Sequence, residues 1–126
     1  MTKRLLLLYL AALGFLSLNP WFKPSGEAAF GGVAWDKFDH AIAYGGLTVL
    51  LLLSFARTPR GAAPALWAIL AASGLGILTE FCQAWFTDSR MFSYLDASAN
   101  SVGAVLGAAA LWSFRSLSSR FRHSPA

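Results

Sequence analysis

The chain has 126 residues, enough for one domain. It is 56% hydrophobic and 13% charged, against about 25% charged in an average soluble domain, and its mean hydropathy is +0.54. This composition points to a bilayer. The formal charge of +4 comes from basic residues scattered at segment ends, which excludes the clustered stripe of a nucleic-acid binder and leaves membrane lipids as the expected partner.

In chain order, Lys3 and Arg4 precede an uncharged run from Leu5 to Leu18. The same pattern opens a signal peptide. No small-x-small cleavage site follows, and the run ends in Asn19-Pro20-Trp21, which fits an uncleaved first membrane helix. Pro20 and Pro24 stop that helix, because proline cannot continue the hydrogen-bond ladder. Residues 19 to 35 form the longest connection, with Trp21, Phe22 and Trp35 suited to the interfacial aromatic belt. Asp36 is the expected N-cap of the second helix, which ends near Phe55.

Arg57, Pro59, Arg60 and Gly61 make a tight turn, and a third apolar segment continues through Glu80 to about Phe86. Thr87, Asp88 and Ser89 read as a second turn. Ser93-x-x-Asp96 resembles a capping box opening a fourth helix, which runs to about Phe114. The basic, Ser-rich tail from Arg115 to Ala126 is expected to lie on an anionic surface or to be disordered. Cys82 is the only cysteine, so no internal disulfide forms, and its apolar neighbours favour a packing role.

The expectation is thus an all-α fold: a small polytopic bundle of four transmembrane helices, at about 4–18, 36–55, 62–86 and 96–114, in one membrane domain over 1–126. With the N-terminus inside, the cytoplasmic parts hold Lys3, Arg4, Arg57, Arg60, Arg115, Arg120 and Arg122, and the outer loops hold Lys23, Lys37 and Arg90. This bias places both termini in the cytoplasm.

That orientation brings polar residues far apart in sequence to one depth, just under the outer surface. Asp36, His40 and Tyr44 recur at helical spacing, as do Glu80 with Gln83, and Asp96, Asn100, Gly103 and Gly107. His40, Glu80 and Asp96 are the candidate catalytic residues; Asp36, Lys37, Tyr44, Gln83, Arg90 and Asn100 are the candidate binding residues. Each has a plainer reading. His40 can bond Asp36 or a headgroup, Glu80 can snorkel or pair with Arg90, Asp96 can complement a helix dipole, and Arg90 can meet Asp88, Asp96 or lipid. Glu80 resists the plain reading most, because an ionisable group within a membrane segment is functional by default. His40 and the carboxylates are suitable metal ligands, but no HxxxH or CxxC spacing occurs, so no metal ligands are assigned and the cofactor is unknown. Gly103-x-x-x-Gly107, extended by Ala104, Ala108 and Ala110, offers a small surface for close helix approach; Gly45, Gly46, Gly74 and Gly76 offer matching ones. Helices 2, 3 and 4 are expected to place His40, Glu80 and Asn100 around one cavity, with helix 1 peripheral.

The pattern Asp36-Lys37-x-x-His40-x-x-x-Tyr44, then Glu80-x-x-Gln83, Arg90 and Asp96-x-x-x-Asn100-x-x-Gly103-x-x-x-Gly107, resembles the VanZ-like family over roughly residues 35 to 110. These are small bacterial membrane proteins, named for a member associated with resistance to the glycopeptide teicoplanin. The turn Thr87-Asp88-Ser89 lacks the proline of the family pattern. The resemblance implies a bacterial cytoplasmic membrane, an envelope context and a link to glycopeptide tolerance; it implies no reaction. The partner is then a lipid headgroup, a cell-wall precursor or a glycopeptide. If there is catalysis, Glu80 and His40 form the proton-transfer pair. Two other readings compete: an accessory membrane protein whose polar residues only hold helices together, and an ion pathway, which the apolar inner halves of the helices disfavour. Oligomeric state is not legible.

Overall fold

A computed structural model describes residues 2–19, 33–55, 62–87 and 91–122. These form four helices: α1 (Thr2–Leu18), α2 (Trp35–Ser54), α3 (Ala62–Phe86) and α4 (Tyr94–Arg122). The expected loop with Pro20, Trp21, Phe22 and Pro24 lies outside the described residues, as do the turn with Arg57, Pro59 and Arg60, Asp88 to Arg90, and residues 123–126.

Two helices, Ala62–Phe86 with a hydropathy of 1.7 and Tyr94–Ser119 with 1.2, are long and apolar enough to cross a membrane by length and composition. The other two fall short for identifiable reasons. α1 has 17 residues, below the ~20 that span a typical bilayer core. α2 has 20 residues but spends its first two turns on Asp36, Lys37, Asp39 and His40.

Local chemistry sets the helix ends. Asp36 is not the N-cap of α2: Ala34 holds that position, with extended backbone and no side-chain cap, and Asp36 falls in the first turn. There a carboxylate still complements the helix dipole, and its side chain is taken by Lys37. Pro64 sits in the first turn of α3, where its missing N–H breaks no ladder bond. Thr87 closes α3 by donating both its backbone N–H and its hydroxyl to the Gln83 carbonyl, at 3.1 and 2.6 Å. Ser93 caps α4 as expected, its Oγ accepting from the Asp96 N–H at 3.2 Å. α4 does not stop near Phe114. It continues to Arg122, so the start of the expected tail is helical. Ser116, Leu117 and Arg115 are adequate helix formers and no Gly or Pro interrupts them.

The helices alternate in direction. Ser54, at the end of α2, donates to the Thr2 carbonyl at the start of α1, and Gln83, near the end of α3, donates to the Ser17 carbonyl near the end of α1. Consequently the starts of α2 and α4 and the ends of α1 and α3 share one end of the bundle. α2 and α3 touch each other and both neighbours, while α1 and α4 are not in contact among the described residues.

The most extensive packing joins α2 to α4, which run parallel. A Cβ added at Gly103 would collide with the Ala41 backbone, and one at Gly107 with the Gly45 backbone. Small residues at i and i+4 on both helices therefore let two backbones meet, as the Gly103-x-x-x-Gly107 spacing predicts. The other small positions divide differently. Gly46 faces the Tyr9 hydroxyl, Gly76 faces Asn100, and Gly74 has open space. Ala104 and Ala108 are buried, but Ala110 points outward. Gly74 is thus not part of a helix contact, and Ala110 does not extend the small surface.

The core is narrow: Leu13, Tyr44, Leu47, Ala72 and Ala104, with Leu6, Leu10, Leu51 and Leu75 packed around it. Most large apolar side chains face out, among them Leu66, Leu70, Leu78, Val105 and Leu106. A soluble surface rarely exposes so continuous an apolar area. Exposed aromatic residues gather near both ends, Trp67 and Trp85 on α3, Tyr94 and Trp112 on α4. At ~1.5 Å per residue each pair is about 27 Å apart along its helix, close to the ~30 Å thickness of a bilayer core.

Candidate functional site

The polar side chains converge at the shared end. α2 supplies Asp36, Lys37, His40 and Tyr44 on one stripe; α3 supplies Glu80 and Gln83 from its last two turns; α4 supplies Asp96 and Asn100 from its first two. Antiparallel pairing of α3 with α2 and α4 puts its end beside their beginnings.

Lys37 Nζ lies 2.6 Å from Asp36 Oδ2 and also pairs with Asp96 Oδ1, joining α2 to α4. One turn deeper, His40 Nδ1 donates to Asn100 Oδ1 at 2.9 Å. Glu80 Oε1 stands 3.8 Å from the same ring nitrogen, too far for a hydrogen bond with it. Glu80 is 1% exposed and Asn100 is fully buried. Deeper again, Tyr44 donates to Thr79 Oγ1 at 2.9 Å, and Thr79 donates onward to the Leu75 carbonyl at 2.8 Å. One ligand-capable atom from each of His40, Glu80 and Asp96 lies within 4.8 Å of the others.

The three candidate catalytic residues therefore meet, as do the candidate binding residues Asp36, Lys37 and Asn100. Tyr44 and Gln83 also reach this end, but as helix ties: Gln83 donates its amide to the Ser17 carbonyl at 2.9 Å. Arg90 lies outside the described residues.

A cavity of about 350 Å³ adjoins the cluster. It is not enclosed by α2, α3 and α4, as the sequence suggests. α1, α2 and α3 form it: Tyr9, Leu13, Leu16 and Ser17 on one wall, Asp36, Asp39, His40 and Tyr44 on another, with Gln83. α1 is thus a cavity wall rather than a peripheral helix, tied in by the Tyr9 hydroxyl donating to the Ala43 carbonyl at 2.7 Å. Only His40 of the candidate catalytic residues lines the cavity; Glu80 and Asn100 are buried beside it. The reason is size. Gly76 lets the Asn100 amide sink against α3, which fills the space between α3 and α4.

Sequence reasoning passes over Asp39, Thr79, Tyr9 and Ser17. Asp39 follows Asp36 at i+3 and carries a readable signal. Thr79 precedes Glu80 and sits one turn above Leu75, a weak signal. Ser17 contributes a backbone carbonyl, which no side-chain pattern reveals.

The Tyr44–Thr79 bond gives a modest prediction. Tyr44→Phe removes one hydrogen bond and leaves Thr79 its bond to Leu75. It should lower stability by about 1 kcal/mol, read as a reduced thermal midpoint in detergent with the folded yield retained.

No protein-family model matches the chain, and neither a curated protein nor a solved structure shows significant similarity to it.

Proposed function

We propose that this chain is a VanZ-like integral membrane protein of four membrane helices. It sits in a bacterial cytoplasmic membrane with both termini cytoplasmic, and the polar end of its bundle is an outward-facing site for an amphiphilic envelope component. A lipid headgroup, a cell-wall precursor or a glycopeptide are the candidates. One observation carries the reading: a cavity with apolar walls ends at His40, Asp36 and Asp39, directly beside the buried Glu80 and Asn100. Such a cavity suits a molecule with an apolar part and a polar head. The two apolar helices and the aromatic side chains near both ends support the membrane part of the reading, and the residue pattern over 35–110 supports the family resemblance. Within it, His40 and Glu80 hold and move a proton at the polar head, and Lys37 and Asn100 orient an anionic or amide group.

A second reading has its own support. His40–Asn100, Tyr44–Thr79 and Gln83–Ser17 each tie two helices together. Such bonds are worth about 0.6 kcal/mol on average in a membrane protein. An accessory protein needs no more from them.

Orientation is tested by labelling single cysteines introduced at positions 26, 58, 89 and 122 of a Cys82→Ser background. Positions 26 and 89 should react with an impermeant reagent from outside, and 58 and 122 only after permeabilisation. Labelling of position 58 in intact cells, or of 26 only from inside, would move the polar end to the cytoplasmic face and overturn the proposal.

A further inference from the structure

Carboxylates from three helices meet at the polar end. Among the described residues Asp36, Asp39, Glu80 and Asp96 gather there, with Lys37 and the titratable His40. Within this group one nitrogen and two carboxylate oxygens, from His40, Glu80 and Asp96, lie within 4.8 Å of one another. An ion held at ~2.0–2.2 Å draws its ligands to about 3–3.5 Å apart. Side-chain rotation covers the difference, since Asp96 and His40 are only partly buried and sit on separate helices.

A second feature points to an occupant independently of the acidic groups. Asn100 is fully buried, its Oδ1 is engaged by His40, and its Nδ2 has no hydrogen-bond partner among the described residues. A buried amide N–H without an acceptor is destabilising. An oxygen carried on a bound ion, as water or as a ligand carboxylate, would accept from it. The Nδ1–H bond to Asn100 also fixes the ring and leaves Nε2 as the nitrogen free to take an ion, which is how a metal-binding histidine is held by its neighbours.

We propose that His40, Glu80 and Asp96 form a site for one divalent transition-metal ion, and that Lys37 is the internal cation that neutralises Asp96 until the ion displaces it. The donor set of one imidazole and two carboxylates suits zinc, manganese or iron(II). Calcium would require six to eight oxygens and magnesium a near-octahedral oxygen shell. Displacement is built in, because Lys37 keeps Asp36 as a partner at 2.6 Å when it releases Asp96. The three ligands come from three helices, so binding would also clamp α2, α3 and α4 together. The inference holds whichever face of the membrane the site occupies.

The test uses the full chain purified in detergent, stripped with a chelator and dialysed. It should bind one equivalent of Co²⁺, with the visible absorption of a nitrogen- and oxygen-ligated ion. Zn²⁺ should bleach that absorption and raise the thermal midpoint. Asp96→Asn, a change at a partly exposed helix start that leaves the fold intact, should abolish both signals, as should His40→Gln. Lys37→Gln removes the competing cation and should tighten Co²⁺ binding about fivefold, equivalent to about 1 kcal/mol. Absence of stoichiometric Co²⁺ and Zn²⁺ binding by the wild-type chain would overturn the site. Undiminished binding in both Asp96→Asn and His40→Gln would overturn it equally. Lys37→Gln binding no tighter than wild type would overturn the displacement by the ion. None of these results depends on an envelope phenotype or on topology.

Discussion

Gly103→Leu is expected to abolish the folded bundle. Even a single carbon at this position would fall on the Ala41 backbone, and a backbone cannot rotate aside as a side chain can. Gly103→Ala alone should therefore cost the ~1–3 kcal/mol typical of overpacking, and leucine should separate α2 from α4 outright. Among the described residues the α2–α4 interface is the most extensive, and α4 otherwise touches α3 alone. Separation would also pull Asp96 from Lys37 and Asn100 from His40. Gly74→Leu is the matched control, since that position faces open space. Size-exclusion profiles and thermal midpoints in detergent check the pair. Gly103→Leu should run as aggregate or fail to accumulate, with Gly74→Leu close to wild type. A monodisperse, stable Gly103→Leu variant would contradict the parallel α2–α4 packing.

Helix existence was legible because apolar runs between charged or proline-rich breaks leave little choice in so hydrophobic a chain. Convergence was legible too. The positions of His40, Glu80 and Asn100 relative to their helix ends place them at one depth once the helices alternate in direction, and the small-residue stripe of α4 says how closely α2 approaches. The failures have physical causes. Asp36 looks like an N-cap by residue type, but caps are set by backbone geometry, and Ala34 adopts it. The continuation of α4 was hidden by serine, whose side chain hydrogen-bonds within the helix here, as Ser118 does to the Arg115 carbonyl. The cavity wall from α1 rests on a tyrosine reaching a carbonyl and on a glutamine reaching another. Such side-chain-to-backbone ties leave no periodic trace. The meeting of His40, Glu80 and Asp96 was expected from their common depth, but no metal-ligand motif marks it, because each sits on a different helix.

Glu80→Gln separates a site from a helix tie, and its expected effect on function is the largest. The change keeps the shape of the side chain and most of its hydrogen-bonding capacity, and removes the charge. Glu80 is 1% exposed within an apolar segment. A charged side chain costs roughly 2.5–3.5 kcal/mol at the centre of a membrane helix on insertion scales and less toward the end where Glu80 sits, a cost that glutamine avoids. If the residue only ties helices, a neutral amide serves as well or better, and the variant should be indistinguishable from wild type or slightly more stable. If the charge moves a proton or holds a cation at the polar end, the variant should fold, insert and accumulate normally and yet lose function. His40→Gln makes the parallel change at the residue that lines the cavity, removing the titratable ring while keeping a polar group.

The decisive measurement is glycopeptide tolerance of cells expressing wild type, Glu80→Gln or His40→Gln, normalised to the amount of folded protein in the membrane. An outward-facing site predicts normal accumulation of Glu80→Gln with tolerance reduced to that of cells lacking the protein. Normal accumulation of both variants with tolerance fully retained would contradict it.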